Sequence, residues 1–145
     1  MAAMSDYLEN KLIDWLIRGQ AYTAPTSVYL GLLTAAPSDS GAGTEVSGNN
    51  YGRATVACSM ANFAGTQSAG STVASSGSGG TTSNNNTISF ATPSASWGLV
   101  THFGVYDAVS GGNLLFYGTL GTSKTINSGD TVSFAAAALT IQIDN

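Results

Sequence analysis

The chain has 145 residues, 43% of them hydrophobic, which is long and apolar enough for one domain with a real core and argues against wholesale disorder. Only twelve residues (8%) are Asp, Glu, Lys or Arg, where a soluble domain ordinarily carries roughly 25%. The net charge is −4 and the four basic residues are scattered, so no basic patch can neutralise nucleic-acid phosphates.

Five of the twelve charges (Asp6, Glu9, Lys11, Asp14, Arg18) fall in the first eighteen residues. Over the rest, Ser, Thr, Asn and Gly must supply the polar skin. Such a surface hydrogen-bonds well but repels other chains little, which suits close packing against further subunits. The plainer alternative is an extracellular β domain of ordinary kind. No apolar run approaches the roughly 20 residues needed to cross a bilayer, and the N-terminus lacks the apolar segment of a secretory signal.

One helix is expected over residues 5–18. Ser5 is a good N-cap, Asp6 and Glu9 suit the positive end of the helix dipole, and Gly19 follows as a stop. Leu8, Leu12, Trp15 and Leu16 recur at helical spacing, and Ile13 and Ile17 widen the stripe. Asp14 and Arg18 are placed to pair. The apolar face must dock, either on its own domain or on a neighbour.

The pattern then turns to β. Ser27–Thr34 places Val28, Leu30 and Leu32 on one face and Tyr29 and Leu33 on the other, and Pro37 opens a loop to about Asn50. Tyr51–Met60 reads as a strand with Ala54, Val56, Cys58 and Met60 on its apolar side, so the lone Cys58 is expected as a buried thiol. Residues 64–86, rich in Gly, Ser, Thr and Asn with almost no apolar anchor, are expected as a long surface loop. Strands follow at Thr87–Phe90, Leu99–Tyr106, Asn113–Leu120, Thr131–Phe134 and Leu139–Ile143. A hairpin closes through DAVSGG and a tight reversal through INSGDT. The whole reads as a mainly β, single-domain antiparallel β-sandwich, jelly-roll-like, with one N-terminal amphipathic α-helix. The sandwich spans residues 27–143.

Chemistry is sparse. The single histidine, His102, sits inside a strand, and no metal-binding or nucleophile motif accompanies it. Asp39, Asp107 and Asp130 lie in turns, where a carboxylate commonly satisfies local amides, and they are too far apart in sequence to suggest a calcium loop. The residues point to no catalytic site, no metal and no cofactor. Trp97, Tyr106, Phe116 and Tyr117 gather about the hairpin and could stack on a sugar, although most aromatics of a small β domain are core.

Two passages carry a resemblance. SDYLENKLIDWLIRGQAYTAPTSVYLGLLTAAPSDSGAGTEVSGNNYGR resembles the start of a family of small bacteriophage structural proteins often labelled tail fibre proteins, and TISFATPSASWGLVTHFGVYDAVSGGNLLFYGTLGTSKTINSGDTVSF resembles its second half. The resemblance implies a non-enzymatic virion protein, made in the bacterial cytoplasm, that packs against major capsid or tail proteins and against copies of itself as a homo-oligomer. Head decoration and a tail-fibre or tail-tip place both fit. A host-receptor or carbohydrate-binding module is the alternative. It also implies a chain starting at the equivalent of Met4, so Met1–Ala3 should bear little on the fold. The contacts expected are the helix (Leu8, Leu12, Trp15, Leu16), the loop with Pro37 and Asp39, and the hairpin tip between Asp107 and Asn113.

Overall fold

The computed structural model of the chain describes residues 2–143. The elements are β1 (Ala2–Met4), α1 (Asp6–Leu16), β2 (Ser27–Ala35), β3 (Thr44–Glu45), β4 (Ala54–Ala57), β5 (Thr81–Ser83), β6 (Ile88–Ser89), β7 (Gly98–Tyr106), β8 (Leu114–Ile126), β9 (Ser133–Phe134) and β10 (Thr140–Gln142). The protein is mainly β and its strands pair antiparallel. One six-stranded sheet runs β1-β8-β7-β2-β3, with β4 also on β2, and two ribbons, β5–β10 and β6–β9, make up the rest.

Alternation decides which side of the large sheet is core. Leu30 opposes Val105 and Leu32 opposes Phe103 across the β2–β7 ladder, so their side chains share one face. That face gathers Ile88, Phe90, Leu139 and Ile141 from the ribbons and their flanks into a single buried cluster, with half-buried Phe134 packed against it. Phe134 packs edge-on against Phe103 with ring centroids 6.2 Å apart. The opposite face is partly apolar too: Leu33, which points away from that cluster, is fully buried.

Four expectations need correction. Ala2, in the segment expected to matter little, is a core residue, because β1 pairs with Phe116–Gly118 of β8. Cys58 is exposed, because β4 ends at Ala57 and the apolar alternation breaks before it reaches the thiol. The segment 64–86 is not wholly a surface loop, since β5 lies within it. Its anchor is polar: Asn84, 1% exposed, donates from Nδ2 to the carbonyls of Asn86 and Ala135 and accepts the Leu139 N–H at Oδ1. Finally, the strand expected over Leu139–Ile143 is shorter, β10 covering Thr140–Gln142, and Ile143 beyond it is exposed while Leu139 and Ile141 are buried.

Candidate assembly surfaces

The helix begins as its sequence dictates. Ser5 caps it, its hydroxyl accepting the Leu8 N–H and donating to the Leu114 carbonyl, while the Ser5 N–H donates to Leu115. Those bonds fix the first turn on β8, and Leu8 is buried there. Gly19, at φ +70°, lets the Gln20 N–H return to the Asp14 carbonyl and close the last turn. Burial falls steadily in between. Leu12 is half-buried, Trp15 is 51% exposed and Leu16 65%. Ile13 and Ile17, round the far side, are 53% and 81% exposed. Of the helix residues expected to make contacts, Leu8 is spent on the chain's own sheet, and Trp15 and Leu16 stand free. Single exposed apolar residues are ordinary, but Trp15 and Leu16 side by side at the free end of the docked stripe make a patch, with Ile13 and Ile17 exposed on the adjoining side.

The second surface is built on glycines. Gly31 of β2 and Gly104 of β7 oppose each other, leaving a flat place on the sheet. The Tyr106 ring lies across it, and a Cβ on Gly104 would come within 2.8 Å of that ring. The Arg53 guanidinium stacks over the ring at 3.4 Å from its centroid. Arg53 also makes a fork onto Glu45, Nε to Oε1 at 2.8 Å and Nη2 to Oε2 at 2.7 Å. Its remaining nitrogen donates to the carbonyls of Ala108 (2.7 Å) and Gly111 (2.8 Å) at the tip of the β7–β8 hairpin. Tyr51 completes the group by donating to Glu45 and accepting the Leu32 N–H.

Burial pushes the Tyr51 phenol far above its ordinary value, helped by its bond to Glu45. Burial would lower the Arg53 pKa, but the hydrogen bonds and charge of Glu45 outweigh it and raise it. The guanidinium therefore holds its proton all the more firmly. At the tip itself Asp107 accepts from the backbone and side-chain nitrogens of Asn113, both at 2.7 Å. Asp107 and Asn113 are thus braces for the tip, and the residue they present outward is Val109, 62% exposed.

Other expected contacts fare differently. Pro37 is buried within the chain and cannot be an outward contact. Asp39 is exposed and takes the Tyr117 hydroxyl, while its carbonyl takes the Asp6 N–H, tying the 37–43 loop to the helix start. Trp97 is buried, its indole donating to the Asn49 carbonyl and its ring packing edge-on against Tyr51 at 5.2 Å. Tyr106 is buried under Arg53. A stacking platform made of Trp97 and Tyr106 is therefore not on the surface.

Sequence reading missed a third feature. Across the β7–β8 ladder Val100 opposes Lys124 and His102 opposes Thr119, so four residues, Leu120–Ser123, face Thr101 alone. This wide bulge opens a recess of about 260 Å³ against the Thr131–Phe134 segment, floored by Leu32, Val100, Ile126 and Phe134. Among the described residues no three His, Cys, Asp or Glu side chains converge on a metal-sized site.

No curated protein matches the chain. Residues 3–142 match the family described as podophage GP4 fiber I protein gp80, which takes in the helix, the braced hairpin and the bulge alike. The chain belongs to this podophage fibre protein family and is a virion structural component.

Proposed function

We propose that the protein is a non-enzymatic accessory subunit on the exterior of the virion, at the tail fibre or tail tip, held there by protein–protein contacts through the C-terminal half of α1. The observation that carries this reading is the exposure of Ile13, Trp15, Leu16 and Ile17 on a helix whose first turn is firmly docked. Covering such a patch removes apolar area from water at about 25 cal/mol per Å². The nearly uncharged surface elsewhere adds little repulsion at close packing.

The non-enzymatic part is supported by how the ionisable groups are used. Between Asp39 and Asp130 each carboxylate braces a turn or an ion pair: Asp39 with Tyr117, Glu45 with Arg53, Asp107 with Asn113, Asp130 with the Asn127 N–H. The His102 Nδ1 is taken up by the Thr101 hydroxyl at 2.7 Å. None is left poised with a nucleophile or a second base. The family supports the tail over the head, as a fibre protein.

Quantitative mass spectrometry of purified particles tests the reading. The subunit should be present at a fixed low copy number and localise to the tail by immunogold labelling. Its absence from particles, or hundreds of copies over the head, would overturn it.

A further inference from the structure

Two stripes run along α1. Ser5, Leu8, Leu12 and Trp15, spaced three and four apart, follow the side whose first turn docks on β8. Asp6, Glu9, Ile13 and Leu16 repeat that spacing one residue on, and all four are exposed. Ile17, 81% exposed, extends this outer stripe. The outer face of the helix is therefore acidic over its first turn and aliphatic over its last.

We infer that this outer stripe docks on a different protein, in an apolar groove with lysine or arginine at one end. The inference rests on the attachment role proposed for α1 and names the chemistry of its partner. Charge selects that partner. Among the described residues neither Asp6 nor Glu9 has a cation at ion-pair distance, the two pairs being Arg18–Asp14 and Arg53–Glu45. Asp39 stands on the same side. Its hydrogen bond does most to raise the Tyr117 pKa, and the charges of Asp6 and Glu9 add to the effect. Three carboxylates thus share one patch, which a basic rim would compensate and which repels nucleic-acid phosphates and anionic lipid headgroups.

A second copy of the chain does not fit this stripe. Parallel pairing sets Asp6 and Glu9 against their equivalents, like charge on like charge. Full antiparallel pairing sets them against Leu16 and Ile17, where a carboxylate loses water and gains no partner. Overlap of the last turns alone spans about 6 Å of helix, too little to approach the ~800 Å² per partner of a stable interface. Nor does the chain carry a basic strip elsewhere. Arg53 is committed inside the fold, Lys11 lies over the Tyr7 ring and Arg18 pairs with Asp14, which leaves Lys124 alone.

The test rebinds the purified chain to particles assembled without it, at about 0.05 M and about 0.5 M salt. The parent should bind, and more weakly at high salt. Asp6→Lys/Glu9→Lys should bind about tenfold more weakly than the parent at low salt and lose the parent's salt dependence. Asp6→Asn/Glu9→Gln, which keeps the shape and removes the charge, should fall between them and replaces the reversal if thermal melting shows that it does not fold. Service of these acids to the helix dipole alone would move melting but not the salt dependence. A folded reversal variant that binds as the parent does would overturn the inference. So would parent binding indifferent to salt, or parent dimers in sedimentation velocity that Leu16→Glu dissolves. Trp15→Glu/Leu16→Glu binding as the parent does would instead remove the attachment role on which the inference stands.

Discussion

Replacing Arg53 by Ala tests whether the few charges of this chain are structural. The substitution removes the fork onto Glu45, two hydrogen bonds to the tip carbonyls and the stack on Tyr106. Removing one partner of a buried pair typically costs about 3–5 kcal/mol, because the other charge is left without compensation. Here Glu45 remains a quarter exposed and keeps the Tyr51 hydroxyl, so part of its charge is still solvated, and roughly 3 kcal/mol is expected. For a domain of this size that lowers Tm by roughly 6–12 °C. Arg53→Lys should recover less than half, since an ammonium cannot make the fork, reach both carbonyls and stack at once. Urea unfolding of the parent, Arg53→Ala, Glu45→Gln and the double variant gives the coupling energy, expected at about 2 kcal/mol. A loss below about 1 kcal/mol for Arg53→Ala would show a screened surface pair and refute the reasoning.

Further outcomes follow from other sites. Asn84→Ala should cost about 3 kcal/mol in urea unfolding, because the Leu139 N–H and two carbonyls lose a partner whose side chain is 1% exposed; a change under about 1 kcal/mol would show that the 64–86 segment is anchored elsewhere. The bond to Asp39 pushes the Tyr117 phenol up to about 12 from its ordinary 10.0. A raised folded-state value means this contribution to stability is intact below about pH 10 and is lost as pH rises through about 12. In Tyr117→Phe the phenolate absorbance should lose its step near pH 12 and keep the change near pH 10 unaltered, and a loss near pH 10 instead would contradict it. Cys58, exposed but with its thiol pKa raised by partial burial, should react fully with a maleimide in the folded protein, faster as pH rises; a thiol labelled only on unfolding would contradict its placement.

Local signals carried the parts of the fold that depend on local physics. The Ser5 cap, the helical spacing from Leu8 to Leu16 and the Gly19 stop are short-range, and the helix observed, Asp6–Leu16, lies within the one expected. The β7–β8 hairpin and the INSGDT reversal are equally local, the latter held by the Asp130 carboxylate on the Asn127 N–H. What stayed hidden depends on register between distant segments. Gly31 and Gly104 are unremarkable alone and become a seat for Tyr106 only when β2 and β7 align them. Arg53 and Glu45 are eight residues apart in a Gly- and Asn-rich turn, a spacing that marks no pair on a helix or strand. The bulge at Leu120–Ser123 arises because Val100 and His102 choose partners five residues apart, and LGTS gives no hint of it. β5 was missed because Thr81–Ser83 is polar, and β1 because three residues are too few to show a period. Trp97 and Cys58 show the limit from both sides. The aromatic read as a possible platform is core, and the thiol read as core is exposed.

The most direct measurement is the copy number of the subunit in purified particles when Trp15 and Leu16 are both changed to Glu. Neither residue is buried by its own chain, so the variant should fold and melt like the parent. The account predicts particles that lack it while the parent is retained. A folded double variant incorporated at the parent's level would contradict the claim that this helix holds the subunit to the virion.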